Sequence, residues 1–239
     1  EIDLHYDPEI ELVGDLAHTL WMLNERVDSR GLPEYDFSLQ RRIRERMAED
    51  IAEYRDDDTR GVIRPQKALW DARQVMGPSE ILLSDVGAHK MWIARMYPAL
   101  APNSCIISNG FASMGIALPG AIAAKLAYPE KAVVAVTGDA GFMMNSQEIE
   151  TAMRLGIPIV ILIWNDGGYG LIEWKQLNQF KRVSHVDFTN PDFVTYAQAF
   201  GATGYRVDGP GQLQEILKDA LAQPTVTIID CPVDYSENL

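Results

Sequence analysis

After residue 62 the sequence settles into short apolar runs rich in β-branched residues, each separated from the next by a segment of helical length. The runs are 81–86, 105–108, 132–138, 159–165, 203–207 and 225–231. Several are continuously apolar rather than alternating, as strands covered on both faces of a parallel sheet must be. The segments at about 65–76, 90–97, 114–127, 145–155, 168–181, 191–200 and 211–222 read as helices. Strand and helix in alternation predict an α/β fold: a doubly wound parallel sheet with helices on both faces. Such sheets bind ligands beyond the carboxyl ends of their strands.

The first 60 residues follow a different pattern. Residues 10–13 (Ile-Glu-Leu-Val) resemble a short strand, and Gly14-Asp15 leads into an apolar-periodic helix from Leu16 to about Val27. Gly31 and Pro33 mark a turn. Leu39, Ile43, Met47 and Ile51 then recur every four residues, predicting a charged helix with one narrow apolar stripe. The run 55–61 reads as a linker. The expected organisation is therefore residues 1–30, a linker over 31–60, and the α/β domain over 61–239. A length of 239 residues suits one substantial domain with extra segments. The opening at Glu1 reads as mid-sequence, as in a fragment or a processed piece.

Composition narrows the function classes. A net charge of −13 argues against nucleic acid and anionic membranes as partners. The one basic cluster, Arg41 to Arg46, reads as a solvated helix face. Cys105 and Cys231 each lie inside an apolar run, and two isolated thiols suit a reduced, cytoplasmic protein. Neither cysteine, nor any of the scattered His5, His18, His89 and His185, has zinc-ligand spacing. No apolar stretch is long enough to span a bilayer, and no signal peptide is visible.

The chemistry-bearing residues gather at predicted strand ends. Run 132–138 ends in Gly138-Asp139-Ala140-Gly141, followed by a helix for which Asn145 and Glu148 form a plausible capping box. Glycines there let backbone approach an anion closely. A carboxylate beside a phosphate is repulsive unless a cation lies between, which points Asp139 toward a Mg²⁺-diphosphate. Taken alone, the segment reads equally well as a tight turn capped by Asp. The next run ends in Asn165-Asp166-Gly167-Gly168-Tyr169-Gly170, with Asp166 placed 27 residues after Asp139. One helix and one strand fill that interval, so both carboxylates reach the same edge of adjacent strands, a hard-cation geometry. A Walker-type Gly-Lys-Ser/Thr loop and a Gly-x-Gly-x-x-Gly opening are both absent, which argues against a flavodoxin-like nucleotide binder.

Gly138-Asp139-Ala140 followed at this interval by Asn165-Asp166 resembles the thiamine-diphosphate (ThDP) motif of the pyruvate decarboxylase and acetohydroxyacid synthase superfamily. The chain departs from that motif at Ala140, where the family usually has Gly, and at Asp166, where it often has Asn. The resemblance implies Mg²⁺ bound by Asp139, Asp166 and the carbonyl of Gly168, with Gly138, Ala140, Gly141, Tyr169 and Gly170 around the cofactor. Asp85-Val86-Gly87-Ala88-His89 is similar to the loop that holds the diphosphate from the other side, implying contacts from Gly87, Ala88 and His89. Segment 108–115 resembles the acetohydroxyacid synthase segment whose Met lies under the cofactor and bends it. That resemblance gives Met114 the catalytic support role and places Ala112 and Ser113 near the aminopyrimidine. Val186-Asp187-Phe188, the stretch from Phe200 to Gly204, and Cys231 to Asn238 look most like the catabolic type of acetolactate synthase.

The resemblance covers nearly the whole chain and reads residues 1–27 as the end of that family's middle domain. It implies decarboxylation of pyruvate and condensation with a second 2-keto acid to 2-acetolactate, in a homo-oligomer that is at least a dimer. The family's activating glutamate lies in an N-terminal domain, and no glutamate here falls in a matching context, so this chain alone is expected to be incomplete. Other readings are another ThDP-dependent decarboxylase or carboligase, or a non-catalytic subunit. The tryptophan that lines the acceptor pocket of anabolic relatives aligns with Lys175, leaving Trp174 one residue early, and Lys175 is expected to be solvated.

Overall fold

The computed structural model describes residues 8–31, 34–57 and 61–237. Pro33, part of the 55–61 linker, and Asn238 therefore lie outside the described residues. The chain divides into two compact units, one ending at Arg44 and the other beginning at Glu45. Helix α1 (Leu16–Arg30) opens on Asp15, whose Oδ1 accepts the His18 N–H at 2.8 Å, and closes on Gly31 at φ 70. It buries none of its residues. The expected strand over 10–13 does not form: Ile10, Leu12 and Val13 are exposed in irregular backbone. No described strand runs beside that segment to complete a ladder, and an isolated strand has no hydrogen-bond partners. Helix α2 (Ser38–Ala52) carries the predicted stripe, of which Ile51 alone is buried.

The second unit holds the expected α/β domain. Helix α3 (Pro65–Val75) leads into β1 (Ile81–Ser84), α4 (Ala88–Met96) and β2 (Cys105–Ile107). Then come α5 (Ala117–Ala127), β3 (Val133–Gly138), α6 (Asp139–Asn145), α7 (Glu148–Arg154) and β4 (Val160–Asn165). Helices α8 (Gly170–Phe180) and α9 (Phe193–Ala199), strand β5 (Thr203–Arg206), α10 (Leu213–Ala222) and β6 (Thr227–Pro232) complete the order. The sheet runs β2-β1-β3-β4-β6-β5, and every pairing is parallel.

Two cores follow from the strand period of two. Leu82, Val134, Val136, Leu162, Trp164 and Ile229 face one way, with α3, α4 and α10. Leu83, Val133, Ala135, Ile161, Ile163 and Ile228 face the other, with α5, α7 and α9. Every second residue is thus buried on each side, which is why the strand sequences are apolar throughout. The chain leaves β1 for β2 on one side and returns to β3 on the other. The topological switch point lies between β1 and β3, and a crevice opens there beyond the strand ends.

One capping expectation is corrected. Helix α6 begins directly at Asp139, so Asn145 is its last residue and caps no N-terminus. The Asn145 amide instead donates to the Gly115 carbonyl at 2.9 Å. Glu148 accepts from the Thr151 hydroxyl, and α7 starts after Gln147 without a side-chain cap. A strand that turns straight into a helix leaves no linker in which a capping box could sit.

Candidate functional site

A cleft of about 80 Å³ lies at the switch point. Its walls come from the segment after β1 (Val86, Gly87, Ala88, His89), the β3–α6 junction (Gly138 to Gly141) and the end of β4 into α8 (Trp164, Asp166, Gly168 to Ile172). Met114 and Tyr235 complete it. Of the candidate residues, Gly87, Ala88, His89, Met114, Gly138, Asp139, Ala140, Gly141, Asp166, Gly168, Tyr169 and Gly170 are brought together here. Ala112 and Ser113 lie outside the lining. Ala112 adopts φ 53, a left-handed conformation uncommon for a residue with a Cβ. Met114 sits in the turn before α5 rather than in the helix.

The turn that carries Met114 is held from below by Asp85. This fully buried carboxylate accepts the Gly115 N–H at 2.9 Å, the Ile116 N–H at 3.2 Å, the Val86 N–H at 2.8 Å and the Thr137 hydroxyl at 2.8 Å. Burial raises its pKa, and these donors pull it back down. One side chain thereby ties β1, β3 and the Met114 turn together. Gly141 packs against it so closely that an added Cβ would stand 2.6 Å from Asp85 Oδ2.

The two candidate metal carboxylates differ in setting. Asp139 is buried, and its Oδ2 accepts from the Gly167 N–H at 2.8 Å and the Asn190 amide at 2.7 Å. Burial raises its pKa, opposed by these same donors. Asp166 is exposed to solvent on its cleft side, while protein crowds its other sides. That burial, and then the charge of Asp139, push it up to about 7. A carboxylate facing a second one across a confined space is poised for a cation. Asn165 points elsewhere: its amide donates to Asp230 at 2.8 Å and its carbonyl oxygen accepts from Asn190 at 3.0 Å. No group of three His, Cys, Asp or Glu that could hold a metal occurs among the described residues. A cation held here therefore needs carbonyl and ligand oxygens beside the two carboxylates.

The Gly167–Tyr169 turn is fixed by segment 186–188. Phe188 N–H donates to the Gly167 carbonyl at 3.1 Å and Tyr169 N–H to the Val186 carbonyl at 2.9 Å. The Tyr169 and Phe188 rings meet edge to face at 5.1 Å. A Cβ at Gly168 would stand 3.2 Å from the Val186 carbonyl, a tight contact that the turn would have to ease by a few tenths of an ångström. A Cβ at Gly170 would fall on Asp166 Oδ2.

The opposite wall suits an anion. Helices α4 and α8 both begin at the cleft, and neither has a side-chain N-cap, which leaves first-turn N–H groups to another acceptor. His89 is buried, and burial lowers its pKa to about 4, so it is neutral at pH 7. It bonds the backbone of Asp85, while its Nε2 has no partner. A Cβ at Gly87 would stand 2.7 Å from the His89 ring, so this position requires glycine for close approach.

Asn190, Trp164 and the cleft position of Tyr235 escaped the sequence reading. Asn190 reaches Asp139 from a loop 51 residues away, and no local pattern marks such a contact. Trp164 looked like an ordinary strand residue. Tyr235 stood inside a tail similarity without a role attached. Burial and the charges of Asp166 and Asp139 raise the Tyr235 pKa well above its ordinary value, so its hydroxyl keeps its proton.

Comparison with known proteins gives a consistent family. The model for "Thiamine pyrophosphate enzyme, C-terminal TPP binding domain" matches residues 85–231. An acetolactate synthase of Bacillus subtilis is 36% identical over 100% of this chain and 42% of its own length. The catabolic acetolactate synthase of Raoultella terrigena is 38% identical over 98% of this chain and 42% of its own. A probable acetolactate synthase large subunit of Methanocaldococcus jannaschii is 32% identical, again over 100% of this chain and 41% of its own. The chain thus spans about two fifths of the length of these relatives.

Proposed function

Because the chain belongs to the thiamine pyrophosphate enzymes through their C-terminal TPP binding domain, we propose that its cleft is the diphosphate and Mg²⁺ half of an acetolactate synthase-like active site. The enzyme would decarboxylate pyruvate and join the product to a second 2-keto acid, giving 2-acetolactate. The single observation that carries this reading is the Asp139–Asp166 pair facing one cleft at the switch point, with Asp166 raised to about 7. The residues fit the cofactor. Two carboxylates call for a cation, while two uncapped helix starts and the unpaired His89 Nε2 call for a polar ligand.

When bound, ThDP supplies the electron sink for decarboxylation. The chain supplies binding and orientation. Asp139, Asp166 and the Gly168 carbonyl would hold Mg²⁺. The first turns of α4 and α8, with Gly87, Ala88 and His89, would hold the phosphates. Met114, fixed by the Asp85 anchor, would support the cofactor in its bent form. Leu171 and Ile172 line the cleft with apolar groups. Ala112 and Ser113, away from the lining, would act only toward the far end of the cofactor.

Exposed Phe111, Ile116, Met143 and Met144 support a homo-oligomer, at least a dimer. Two free thiols favour the reducing cytoplasm. No helix among the described residues is long and apolar enough to cross a membrane. The unburied apolar side of α1 fits the end of a middle domain over residues 1–30, with a linker over 31–60. Incubating the full-length enzyme with pyruvate, Mg²⁺ and ThDP tests the activity. Acetolactate supports the reading; acetaldehyde alone, or no turnover, rejects it.

A further inference from the structure

The segment after β6 places one side chain with care and leaves its polar atom without a bond. Val233 N–H donates to the Asn165 carbonyl at 3.0 Å, and Asp234 N–H to the Ile63 carbonyl at 2.9 Å. On the far side, Glu237 accepts from Arg64 at 3.0 Å and from Gln66 at 3.3 Å. Tyr235 lies between these two sets of bonds. Its ring packs on Trp164, with centroids 6.3 Å apart, and lines the cleft beside Asp139, Asp166 and Gly168. Its hydroxyl is shut off from bulk water and meets no partner.

A buried hydroxyl without a partner is destabilising, and folded proteins keep few. Of seven buried side-chain atoms without a partner among the described residues, three, the Tyr235 hydroxyl, His89 Nε2 and Trp164 Nε1, belong to residues that line one small cleft. Unpaired groups scattered through a core would reflect packing. Grouped around one cavity, they point to a ligand. The nearby acceptor Asp139 is already engaged by Gly167 and Asn190. An anion bound to the cation between the two carboxylates would bring fresh acceptor oxygens to the same place.

We propose that Tyr235 is a positioning residue for the anionic end of the cofactor, its hydroxyl donating a hydrogen bond to a diphosphate oxygen. The proposal rests on the cofactor reading above. It explains why the segment is held by backbone bonds before Tyr235 and by the Glu237 carboxylate after it, while the Tyr235 hydroxyl itself bonds nothing.

Tyr235→Phe removes the oxygen and keeps the ring. In the full-length enzyme, ThDP is titrated at fixed Mg²⁺ and followed by tryptophan fluorescence, for which Trp164 is the local reporter. Affinity should fall about tenfold, or about 1.4 kcal/mol. Mg²⁺-pyrophosphate should weaken by a similar factor, because the bond is made to the phosphates. The melting temperature without ligand should hold or rise, since an unpaired buried hydroxyl has gone. Affinity equal to wild type within about twofold overturns the proposal. So does a loss for ThDP with pyrophosphate unchanged. A lowered melting temperature without ligand makes Tyr235 a packing residue and also overturns it. If wild type binds neither probe, the cofactor reading itself fails; if wild type binds both and the variant matches it, only the role of Tyr235 is lost.

Discussion

Asp139 and Asp166 carry the same functional group, yet their surroundings separate their behaviour. Asp139 is locked by two donors on one oxygen, so Asp139→Ala removes a proposed cation ligand, orphans the Gly167 N–H and leaves the Asn190 amide with Asn165 alone. Calorimetry on the full-length enzyme should show Mg²⁺-ThDP affinity falling by more than about a hundredfold, about 2.7 kcal/mol. Asp166→Asn keeps an oxygen at the same place and should stay within about tenfold of wild type at pH 7. Its pH dependence is the sharper test. Wild-type Mg²⁺ affinity should decline as pH falls through about 7, where Asp166 takes up a proton, while the Asn variant declines only at lower pH. Stability without ligand runs the other way. A carboxyl raised by folding favours the fold while protonated, and that contribution is lost as pH rises from the ordinary value of 3.8 through about 7. The gap in melting temperature in favour of the Asn variant should therefore widen over that window. The sequence revealed this pair through its spacing across one helix and one strand. It could not reveal that burial outweighs the like charge in raising Asp166, because burial is a property of the whole cleft.

Among the elements, strands were easier to recognise than helix starts. Strands β3 and β4 are covered on both faces, so a continuous apolar run marks them unambiguously. Helices α3 to α8 and α10 have no side-chain N-cap bond, so the residues that usually announce a helix start are silent there. Asn145, a residue of capping type, instead ends α6. Residues 10–13 alternate like a strand, but a strand needs a neighbour, which no local pattern supplies. The Met114 turn depends on an element far away, the end of β1, through Asp85. Gly141→Ala tests that anchor, since the added methyl would press on Asp85 Oδ2 and on the Thr137 hydroxyl, 3.1 Å away. Asp85 is held by four partners and cannot swing aside. Urea denaturation should show a loss of about 1–3 kcal/mol. An unchanged midpoint would mean that the anchor yields easily.

For the whole molecule, the cleft gathers residues from across the sequence, from Val86 to Tyr235. Mg²⁺-ThDP should therefore stabilise the entire second unit. At a ligand concentration of about a hundred times Kd the gain is about 2.7 kcal/mol, measurable as a higher melting temperature, and Asp139→Ala should abolish it. Phe111 is 98% exposed, and exposed Met144 lies against Gly115, the neighbour of exposed Ile116. Phe111→Asp with Met144→Asp should shift the full-length enzyme toward a smaller species in sedimentation velocity. An unaltered sedimentation profile would place the subunit contact elsewhere. The strand order has a further consequence, for synthesis on the ribosome. Among the described residues β5 pairs only with β6, which follows every other strand of this sheet in chain order. Until residues 227–232 emerge, β5 has no neighbour and β4 presents an open apolar edge on a half-built sheet. The nascent chain should consequently remain sensitive to protease and dependent on holdase chaperones until β6 emerges, then acquire resistance abruptly when β6 slots between two strands already waiting for it.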